Sequence, residues 1–364
     1  MKNKLSFNAI NLFLLAILLC CHSLVYSQDL LKVAVVGLSH DHAHNIMNEY
    51  KNKKVILLGI VEKDNDLIQR YQNSYNIPSS LFYKDLSEML KKIKPDAVLA
   101  YNPISEHLDV ARVCLPLKIP VMVEKPLATT LKDAQEMAKL SRDNDTPLLT
   151  NYETTWYGSN QTLKNKVSIS NFGTIKKMIA KDGHNGPKEI GCSKEFLNWL
   201  ADPEKNGGGA IVDFGCYGAN LMTWLQDGKK PIAVTAVTRN YKPNIYPKVD
   251  DDATIILEYK DATGIIQASW NWSYSIKDFQ VYGENKSYYA ANANTLFENK
   301  NTTDVENIKL TNTYYDNNLV YLKDVLEGKI STKNDLSSLE NNLIVVEILE
   351  AAKKSAITGN RIKL

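Results

Sequence analysis

The sequence predicts an α/β protein of two domains, a doubly wound parallel sheet followed by an α+β domain with a large, mainly antiparallel open sheet. Two observations predict this class. Between residues 31 and 152, short apolar strand segments alternate with segments of helical period, which is typical of a parallel sheet covered on both faces. After about residue 170, strand segments follow one another at hairpin spacing, which indicates antiparallel pairing. A chain of 364 residues is long enough for both domains.

The first domain is expected at residues 28–152. Its predicted strands are the apolar segments 31–36, 55–61, 97–101, 121–124 and 148–152. The segments of helical period between them are 42–51, 64–75, 85–92, 106–117 and 131–144. Sheets of this kind bind ligands beyond the carboxyl ends of their strands, so the residues that follow each strand are the first candidates for a site.

The second domain is expected at residues 153–364. Its predicted strands are 174–182, 232–239, 253–259, 263–272, 279–283 and 288–291, joined by turn signals such as Lys260-Asp261-Ala262-Thr263-Gly264. One helix is predicted near 209–225 and another at 339–358, where Gly359 is a residue type that commonly ends helices. The open face of such a sheet favours self-association, so we expect a homo-oligomer.

Residues 1–27 are predicted to be an export signal outside the fold. A basic start is followed by ten apolar residues, 12–21, and then by small residues at the −3 and −1 positions, Val25 and Ser27. Ten residues are too few to cross about 30 Å of hydrocarbon as a helix. We therefore expect a periplasmic or secreted mature chain without a membrane span. A short membrane anchor, or lipidation at the cysteine pair that ends the apolar run, is the alternative.

Charge and cysteine content exclude several classes of function. Without residues 1–27 the chain keeps 41 basic and 41 acidic side chains, a formal charge of zero. Binding to nucleic acid or to an anionic membrane surface needs a net basic face, so neither partner is expected. Cys114, Cys192 and Cys216 are odd in number and widely spaced, which predicts packed thiols instead of a disulfide framework or a zinc site.

The first strand runs into Gly37-Leu38-Ser39-His40-Asp41-His42. The dinucleotide fingerprint of a Rossmann domain has glycine at the positions of Gly37, Ser39 and His42, and only the first is present. The Ser39 hydroxyl could still donate a hydrogen bond to a pyrophosphate. Glu62, at the end of the second strand, could accept hydrogen bonds from both ribose hydroxyls and would repel a 2′-phosphate, which favours NAD over NADP. A solvated charge at a strand end is the alternative for Glu62.

The histidines of this loop do not predict a metal site. His40, His42 and His44 would lie together only on an extended strand, whereas on a helix only His40 and His44 share a face. We therefore expect no metal ion.

Two segments resemble the signatures of the Gfo/Idh/MocA oxidoreductases. In the first domain, Asn102-Pro103 follows a strand, His107 begins the next helix, and Glu124-Lys125-Pro126 follows another strand, with Lys125 18 residues after His107. In the second, the segment from Gly207 to Tyr217 is similar to the family's Gly-Gly-Gly-x-x-x-Asp-x-Gly-x-His/Tyr. The resemblance covers nearly all of the mature chain. It implies a cis Lys125–Pro126 peptide and cofactor contacts from Gly37, Ser39, His40, Glu62, Asn102, Pro103, His107, Glu124 and Lys125.

The resemblance also implies a catalytic trio of Lys125, Asp213 and Tyr217. Hydride transfer from a carbinol needs a base for the hydroxyl proton, and the reverse reaction needs an acid. Asp213 and Tyr217 are four residues apart, so on a helix they would share one face. Lys125, desolvated between domains, could have a lowered pKa and polarise the reacting oxygen. A helix-terminal charge and a core aromatic are the alternatives for Asp213 and Tyr217.

Substrate contacts are expected from the trio and from His184 and Trp199. Either Trp270 or Trp272 could stack on a sugar ring, with core packing as the alternative. Many family members have an Asn-Arg-Arg stretch after the sixth strand, whereas this chain has Glu153-Thr154-Thr155-Trp156 and lacks that basic side chain.

The sequence thus predicts an NAD(P)-dependent oxidoreductase that acts on a hydroxyl or ketone of a small carbohydrate substrate. Because free NAD is scarce outside the cytoplasm, we expect a retained cofactor and a redox-neutral cycle. One alternative is an NAD-dependent glycosidase that works through a transient keto-sugar. Another is a non-catalytic sugar-binding relative that has lost cofactor binding, which the altered glycine loop favours.

Overall fold

The computed structural model of this chain describes residues 30–169, 171–299, 305–310 and 317–364. The predicted export signal at residues 1–27 lies outside the described residues. Within those ranges, no helix is both long enough and apolar enough to span a membrane.

The first sheet confirms the predicted doubly wound fold. It has six parallel strands among the described residues, in the order β3-β2-β1-β4-β5-β6, which is the strand order of a Rossmann domain. The strands are β1 Lys32–Val36, β2 Ile56–Val61, β3 Phe82–Tyr83, β4 Ala97–Ala100, β5 Val121–Glu124 and β6 Leu148–Asn151. The helices that cover it are α1 Ala43–Lys51, α2 Asn65–Tyr75, α3 Leu86–Lys92, α4 His107–Cys114 and α5 Leu131–Asp143. Strand β3 was not predicted, because a strand of two residues is too short to show a hydrophobic pattern.

The helices of this domain begin where short polar side chains can cap them. Asp64, Asp85 and Thr130 each accept hydrogen bonds from backbone N–H groups in the first turn of α2, α3 and α5. Such caps satisfy N–H groups that have no partner within the helix. They hold each strand-to-helix turn at the carboxyl edge of the sheet, where ligands are expected.

The second sheet is large and mainly antiparallel, as predicted. Its order among the described residues is β14-β13-β12-β11-β7-β10-β9-β8-β15, and β7 and β10 pair in parallel. The strands are β7 Ile175–Gly183, β8 Ala233–Arg239, β9 Asp252–Glu258, β10 Thr263–Ser269, β11 Ile276–Gly283, β12 Ser287–Asn292, β13 Thr295–Asn299, β14 Val305–Ile308 and β15 Ile362–Lys363. The helices are α6 Gly158–Ile169, α7 Lys194–Leu200, α8 Ala210–Asp213, α9 Gly215–Leu225, α10 Asn318–Leu326 and α11 Leu339–Thr358.

Helix α11 packs against both domains. Leu339 and Val346 belong to a core cluster of the first domain, whereas Val345, Ile348 and Leu349 belong to the core of the second. Two adjacent faces of one helix therefore bury apolar surface in different domains, which stabilises their contact.

The opposite face of the second sheet carries apolar side chains that are exposed in the single chain. Val237, Ile256 and Tyr282 are 52%, 42% and 38% exposed. Self-association through this face stays a prediction.

The single helix predicted near 209–225 is wrong, because two helices meet at Phe214. The N–H of Phe214 donates to Ala210 O at 3.0 Å, but the N–H of Tyr217 donates to Phe214 O, only three residues back, at 3.2 Å. The change of hydrogen-bond register separates α8, which carries Asp213, from α9, which carries Tyr217. Helices α6, α7 and α10 were not predicted.

Candidate active site

A groove follows the carboxyl ends of β1, β2 and β4. Gly37 has a φ of 80°, and a Cβ added there would lie 2.7 Å from Asn102 Cα. The groove therefore requires a glycine at this position, since a side chain would collide with Asn102 in the turn after β4. It encloses about 630 Å³ and is lined by the predicted cofactor residues Gly37, Ser39, Glu62, Asn102 and Pro103, together with Trp199 of α7.

The Glu62 carboxylate is held at the edge of this groove by backbone donors. Its Oε2 accepts the N–H of Leu38 at 2.8 Å, and its Oε1 accepts the N–H groups of Lys63 and Asp64 at 2.7 and 2.9 Å. Asn102 is buried, and its Oδ1 has no hydrogen-bond partner among the described residues. A pre-oriented carboxylate and an unsatisfied amide oxygen in one roomy groove fit a ligand rich in hydroxyl and N–H groups, such as a dinucleotide.

Four of the predicted cofactor contacts do not line this groove: His40 and Lys125 line a neighbouring cavity, Glu124 lines a third one, and His107 is buried. His107, expected at the cofactor, is fully buried on the inner side of α4, where its Nδ1 lies 3.1 Å from Leu127 O. Burial lowers the pKa of His107 to about 4, so the imidazole is neutral and fixes the turn after β5. Trp199, expected at the substrate, lies in the wall of the cofactor groove instead, because α7 packs across the glycine loop.

The predicted catalytic trio, Lys125, Asp213 and Tyr217, meets between the two domains. The Lys125–Pro126 peptide is cis, as predicted. Lys125 Nζ donates to Asp213 Oδ1 and also to Asp213 O at 3.1 Å. The other carboxylate oxygen, Asp213 Oδ2, accepts the indole N–H of Trp270 at 2.9 Å. Trp270 is therefore a core residue that holds Asp213 and offers no face to a sugar.

The Lys125–Asp213 pair is charged despite its burial. Burial alone would lower the pKa of Lys125, but the Asp213 carboxylate outweighs it and raises that pKa above its ordinary value. Burial would likewise raise the pKa of Asp213, but the Lys125 ammonium and its hydrogen bond lower it. The expectation of a lowered Lys125 pKa is wrong, since it considered desolvation without the partner charge.

Tyr217 lies under two ammonium groups. Its ring centroid is 5.3 Å from Lys125 Nζ and 5.0 Å from Lys277 Nζ. Burial raises the pKa of Tyr217 well above its ordinary value, so the phenol keeps its proton at neutral pH. Its hydroxyl can therefore donate a hydrogen bond to a substrate oxygen.

Lys277 was missed by the sequence analysis. It lies on β11 and forms an ion pair with Glu153, the residue that stands where many family members have a basic stretch. Lys277 is paired in register with Asp182 of β7. Burial raises the pKa of Asp182, a fully buried carboxyl group, well above its ordinary value. Position 153 itself carries no basic side chain, but Lys277, on a strand more than a hundred residues later, places one beside it.

A second cavity, of about 350 Å³, opens beside the trio. We call it the catalytic cavity; it is lined by His40, His42, Lys125, His184, Asp213, Tyr217 and Lys277, with Asp41, Pro187, Ile190, Gly191, Cys192, Phe196, Leu200 and Phe214. His184, a predicted substrate contact, accepts the N–H of Gly186 at its Nδ1 (2.9 Å). Burial lowers the pKa of His184, so the neutral ring presents Nε2–H.

His40 and His42 lie at the wall between this cavity and Glu124. One nitrogen of each ring and a carboxylate oxygen of Glu124 lie within 4.8 Å of one another. His42 Nδ1 is 3.1 Å from Glu124 Oε2, and His40 Nδ1 accepts the backbone N–H of His42 at 3.1 Å. These hydrogen bonds account for the proximity without an ion, and no metal site is proposed.

Comparison with known proteins follows the same two-domain division. Residues 31–152 match the family model described as an oxidoreductase family with an NAD-binding Rossmann fold. Residues 160–289 match the GFO/IDH/MocA C-terminal domain. The chain belongs to the Gfo/Idh/MocA family. The first domain is accordingly an NAD-binding Rossmann domain, and the lining of the groove at its strand ends fits that cofactor.

The Gfo/Idh/MocA proteins named below share no more than 26% sequence identity with this chain. The trans-1,2-dihydrobenzene-1,2-diol dehydrogenase of Xenopus laevis is 26% identical over 218 residues, which cover 58% of this chain and 60% of that protein. The match thus spans about three-fifths of the relative's length. An aldose–aldose oxidoreductase from Caulobacter crescentus, solved with glycerol, has a TM-score of 0.77 at 19% identity and covers 92% of this chain and 100% of that one.

A second solved structure is similar over the same region. The WlbA dehydrogenase of Bordetella pertussis, solved with NADH and UDP-GlcNAcA, has a TM-score of 0.72 at 19% identity and covers 92% of this chain and 99% of that one. At these identities the structures show a shared fold.

Proposed function

We propose that this protein is an NAD-dependent oxidoreductase that interconverts a secondary hydroxyl and a ketone on a sugar or sugar derivative. The observation that carries the proposal is the buried Lys125–Asp213 ion pair, placed with Tyr217 in a cavity beside the NAD groove. When bound, NAD supplies the hydride acceptor or donor. Glu62 favours NAD over NADP, because a 2′-phosphate would meet its carboxylate.

The role of the trio is to hold the reacting oxygen. Lys125 is kept as an ammonium ion by Asp213, so a fixed positive charge faces the oxygen that becomes negative during oxidation. Tyr217 keeps its proton and donates a hydrogen bond to the same oxygen. Donors that are oriented before the substrate arrives stabilise the transition state without reorganising in the reaction.

A carbohydrate is the substrate class that the catalytic cavity favours. His184 Nε2–H, Lys277 and Asp41 add polar groups around the trio, while Phe214 and Phe196 supply apolar walls. A few polar groups within apolar walls are typical of a small-molecule site. The names of similar proteins, an aldose–aldose oxidoreductase and a dehydrogenase bound to UDP-GlcNAcA, point to the same class.

The export expected from residues 1–27 belongs to the proposal. An enzyme outside the cytoplasm needs a cofactor that stays bound and is returned to its starting state by a second substrate. We therefore propose that the protein is isolated with NAD bound and that it couples the oxidation of one sugar to the reduction of another.

The test combines cofactor detection with substrate turnover. Mass spectrometry of the denatured, purified protein should find NAD, and single sugars added from a panel should change the absorbance at 340 nm. Tyr217→Phe should lower kcat by about 10²-fold or more, because it removes the donor to the oxygen. Tyr259→Phe is the matched control, a buried tyrosine of the same domain that does not line the catalytic cavity.

Two results would contradict the proposal. A protein that neither contains NAD nor binds added NAD or NADP would be a sugar-binding relative without chemistry. Release of nitrophenol from nitrophenyl glycosides without added cofactor, lost in Lys125→Ala, would instead support the glycosidase alternative.

A further inference from the structure

The Lys125–Asp213 ion pair depends on the distance between two loops that come from different domains. Lys125 begins the turn after β5 of the first domain, and Asp213 ends α8 of the second. Both side chains are only 6% exposed, so a shift of either loop would leave a buried charge without its partner. The two loops must therefore be kept at a fixed separation.

The two loops approach each other closely at Thr129 and Gly207. Thr129 lies four residues after Lys125, and Gly207 lies six residues before Asp213. Gly207 has a φ of 85°, and a Cβ added there would lie 3.2 Å from Thr129 Cβ. A side chain at this position would be both strained and crowded, so the glycine lets the backbones of the two domains meet.

Lys353 of α11 bonds to both loops at this meeting point. Its Nζ donates to Thr129 O at 3.1 Å and to Gly207 O at 3.0 Å. Hydrogen bonds from a charged donor are roughly twice as strong as those between neutral groups. One turn earlier on α11, Glu350 Oε2 accepts the N–H of Leu131 at 2.9 Å. A single ammonium group thus joins a carbonyl of the first domain to a carbonyl of the second, beside a further contact from the same helix.

The place of Lys353 follows from the residue pattern of α11. Leu339 and Val346 pack in the core of the first domain, and Lys353 is the next residue at the same seven-residue spacing. Seven residues are close to two helical turns, so these three side chains lie along one stripe of the helix. Lys354, the next residue in the chain, is exposed. The stripe that faces the first domain therefore ends in an ammonium group at the two loops.

Asp250 holds the other side of the glycine turn. Its Oδ1 accepts the N–H of Gly209 at 2.9 Å, and its Oδ2 accepts the N–H of Ile211 at 2.7 Å. These three residues belong to the second domain, so their hydrogen bonds fix the shape of the turn but not its distance from the first domain. The hydrogen bonds of Lys353 cross between the domains and constrain that distance.

We propose that Lys353 is a positioning residue for the reaction, and that it holds the Lys125–Asp213 pair in its catalytic geometry. This proposal rests on the proposed function. Lys353 does not line the catalytic cavity, and its ammonium group donates to two backbone carbonyls. It acts through the loops that carry the pair, because misplacing a catalytic group by about 1 Å can lower the rate by about 10²-fold.

The experiment removes the ammonium group while keeping an unbranched side chain of similar length. Lys353→Met should lower kcat by about 10- to 100-fold, measured at 340 nm with a sugar that the wild-type protein oxidises. The KM for that sugar should stay within about threefold, because the ion pair stabilises charge that develops in the transition state. Lys353→Arg keeps the charge and several N–H donors, so it should return kcat to within about fivefold of the wild type.

Lys354→Met is the matched control, since it makes the same change at the next residue of α11, where the side chain is exposed. Its kcat should stay within about twofold of the wild type, as expected for a surface substitution. The NAD content from mass spectrometry and the urea unfolding curve of each variant show whether it is folded and loaded with cofactor.

Several results would overturn this proposal and leave the proposed function standing. One is a wild-type kcat in folded Lys353→Met, with or without a change in KM. Another is a loss of kcat that Lys353→Arg does not restore. An unfolded Lys353→Met beside a folded Lys354→Met would make Lys353 a residue of general stability and would also overturn it. A wild-type protein that transfers hydride from no sugar in the panel would overturn both proposals.

Discussion

Replacing Lys125 by methionine tests the electrostatic reasoning about the site directly. Both side chains of the Lys125–Asp213 pair are only 6% exposed. Methionine removes the ammonium and leaves the Asp213 carboxylate buried with a single donor, the N–H of Trp270. Breaking a buried ion pair by removing one partner costs about 3–5 kcal/mol, because an uncompensated charge stays in a low-dielectric environment.

The loss of stability in Lys125→Met should depend on the Asp213 charge that stays buried without its partner. Lys125→Met combined with Asp213→Asn removes both charges, so the double variant should be about 1–3 kcal/mol more stable than Lys125→Met alone. The assay is urea unfolding at pH 7, followed by circular dichroism, with free energies from linear extrapolation. Lys139→Met is the control, since Lys139 and Asp143 form an exposed pair, 73% and 56% accessible, and it should change the free energy by about 0.5 kcal/mol or less.

The pH dependence of the unfolding free energy tests the same reasoning. In the wild type, Lys125 holds the pKa of Asp213 below its ordinary value, so the pair's contribution is present above that value and declines as the pH falls. In Lys125→Met the burial of Asp213 acts alone and raises its pKa, so that variant should gain stability as the pH falls. The difference between the two proteins should therefore shrink at low pH. A constant difference, or a Lys125→Met variant no less stable than Lys139→Met, would refute the reasoning.

Three further predictions concern the surrounding residues. Gly37→Ala should abolish NAD binding in calorimetry, because the added methyl would lie 2.7 Å from Asn102 at a φ of 80°. Trp270→Phe should lower the unfolding free energy in urea by about 1.5–3 kcal/mol, since it removes a donor to the charged Asp213. Burial lowers the pKa of His184, so the folded protein binds its proton less well and should lose stability as the pH falls below about 6.5; His184→Gln should flatten that part of the pH–stability curve, and an unchanged slope would contradict the assignment.

Local signals were sufficient where a residue's role depends on its immediate neighbours. Strands β1, β2, β4, β5 and β6 could be predicted from apolar runs in the sequence, because strands buried on both faces need continuous apolar residues. The position of Gly37 in the turn after β1 could be predicted, because a left-handed turn there requires a residue without a side chain.

Local signals misled where the partner was distant in sequence. Asp213 and Tyr217 were placed on one helix by their spacing, but the backbone changes register between them at Phe214. The pKa of Lys125 was assigned the wrong direction, because desolvation could be inferred from its position between domains whereas the geometry of its pairing with Asp213 could not.

The amino-acid sequence by itself determined the two sheets, the glycine turn and the two signature segments, since these depend on periodicity and on residues adjacent in the chain. Only the tertiary structure decided that Lys277 faces Tyr217, that Trp270 holds Asp213, and that Glu124 orients His42. Each of these contacts joins residues that are 57 to 82 positions apart in the chain. Sheet pairing and helix packing set such distances, and they result from burying apolar surface across the whole chain, so no short segment encodes them.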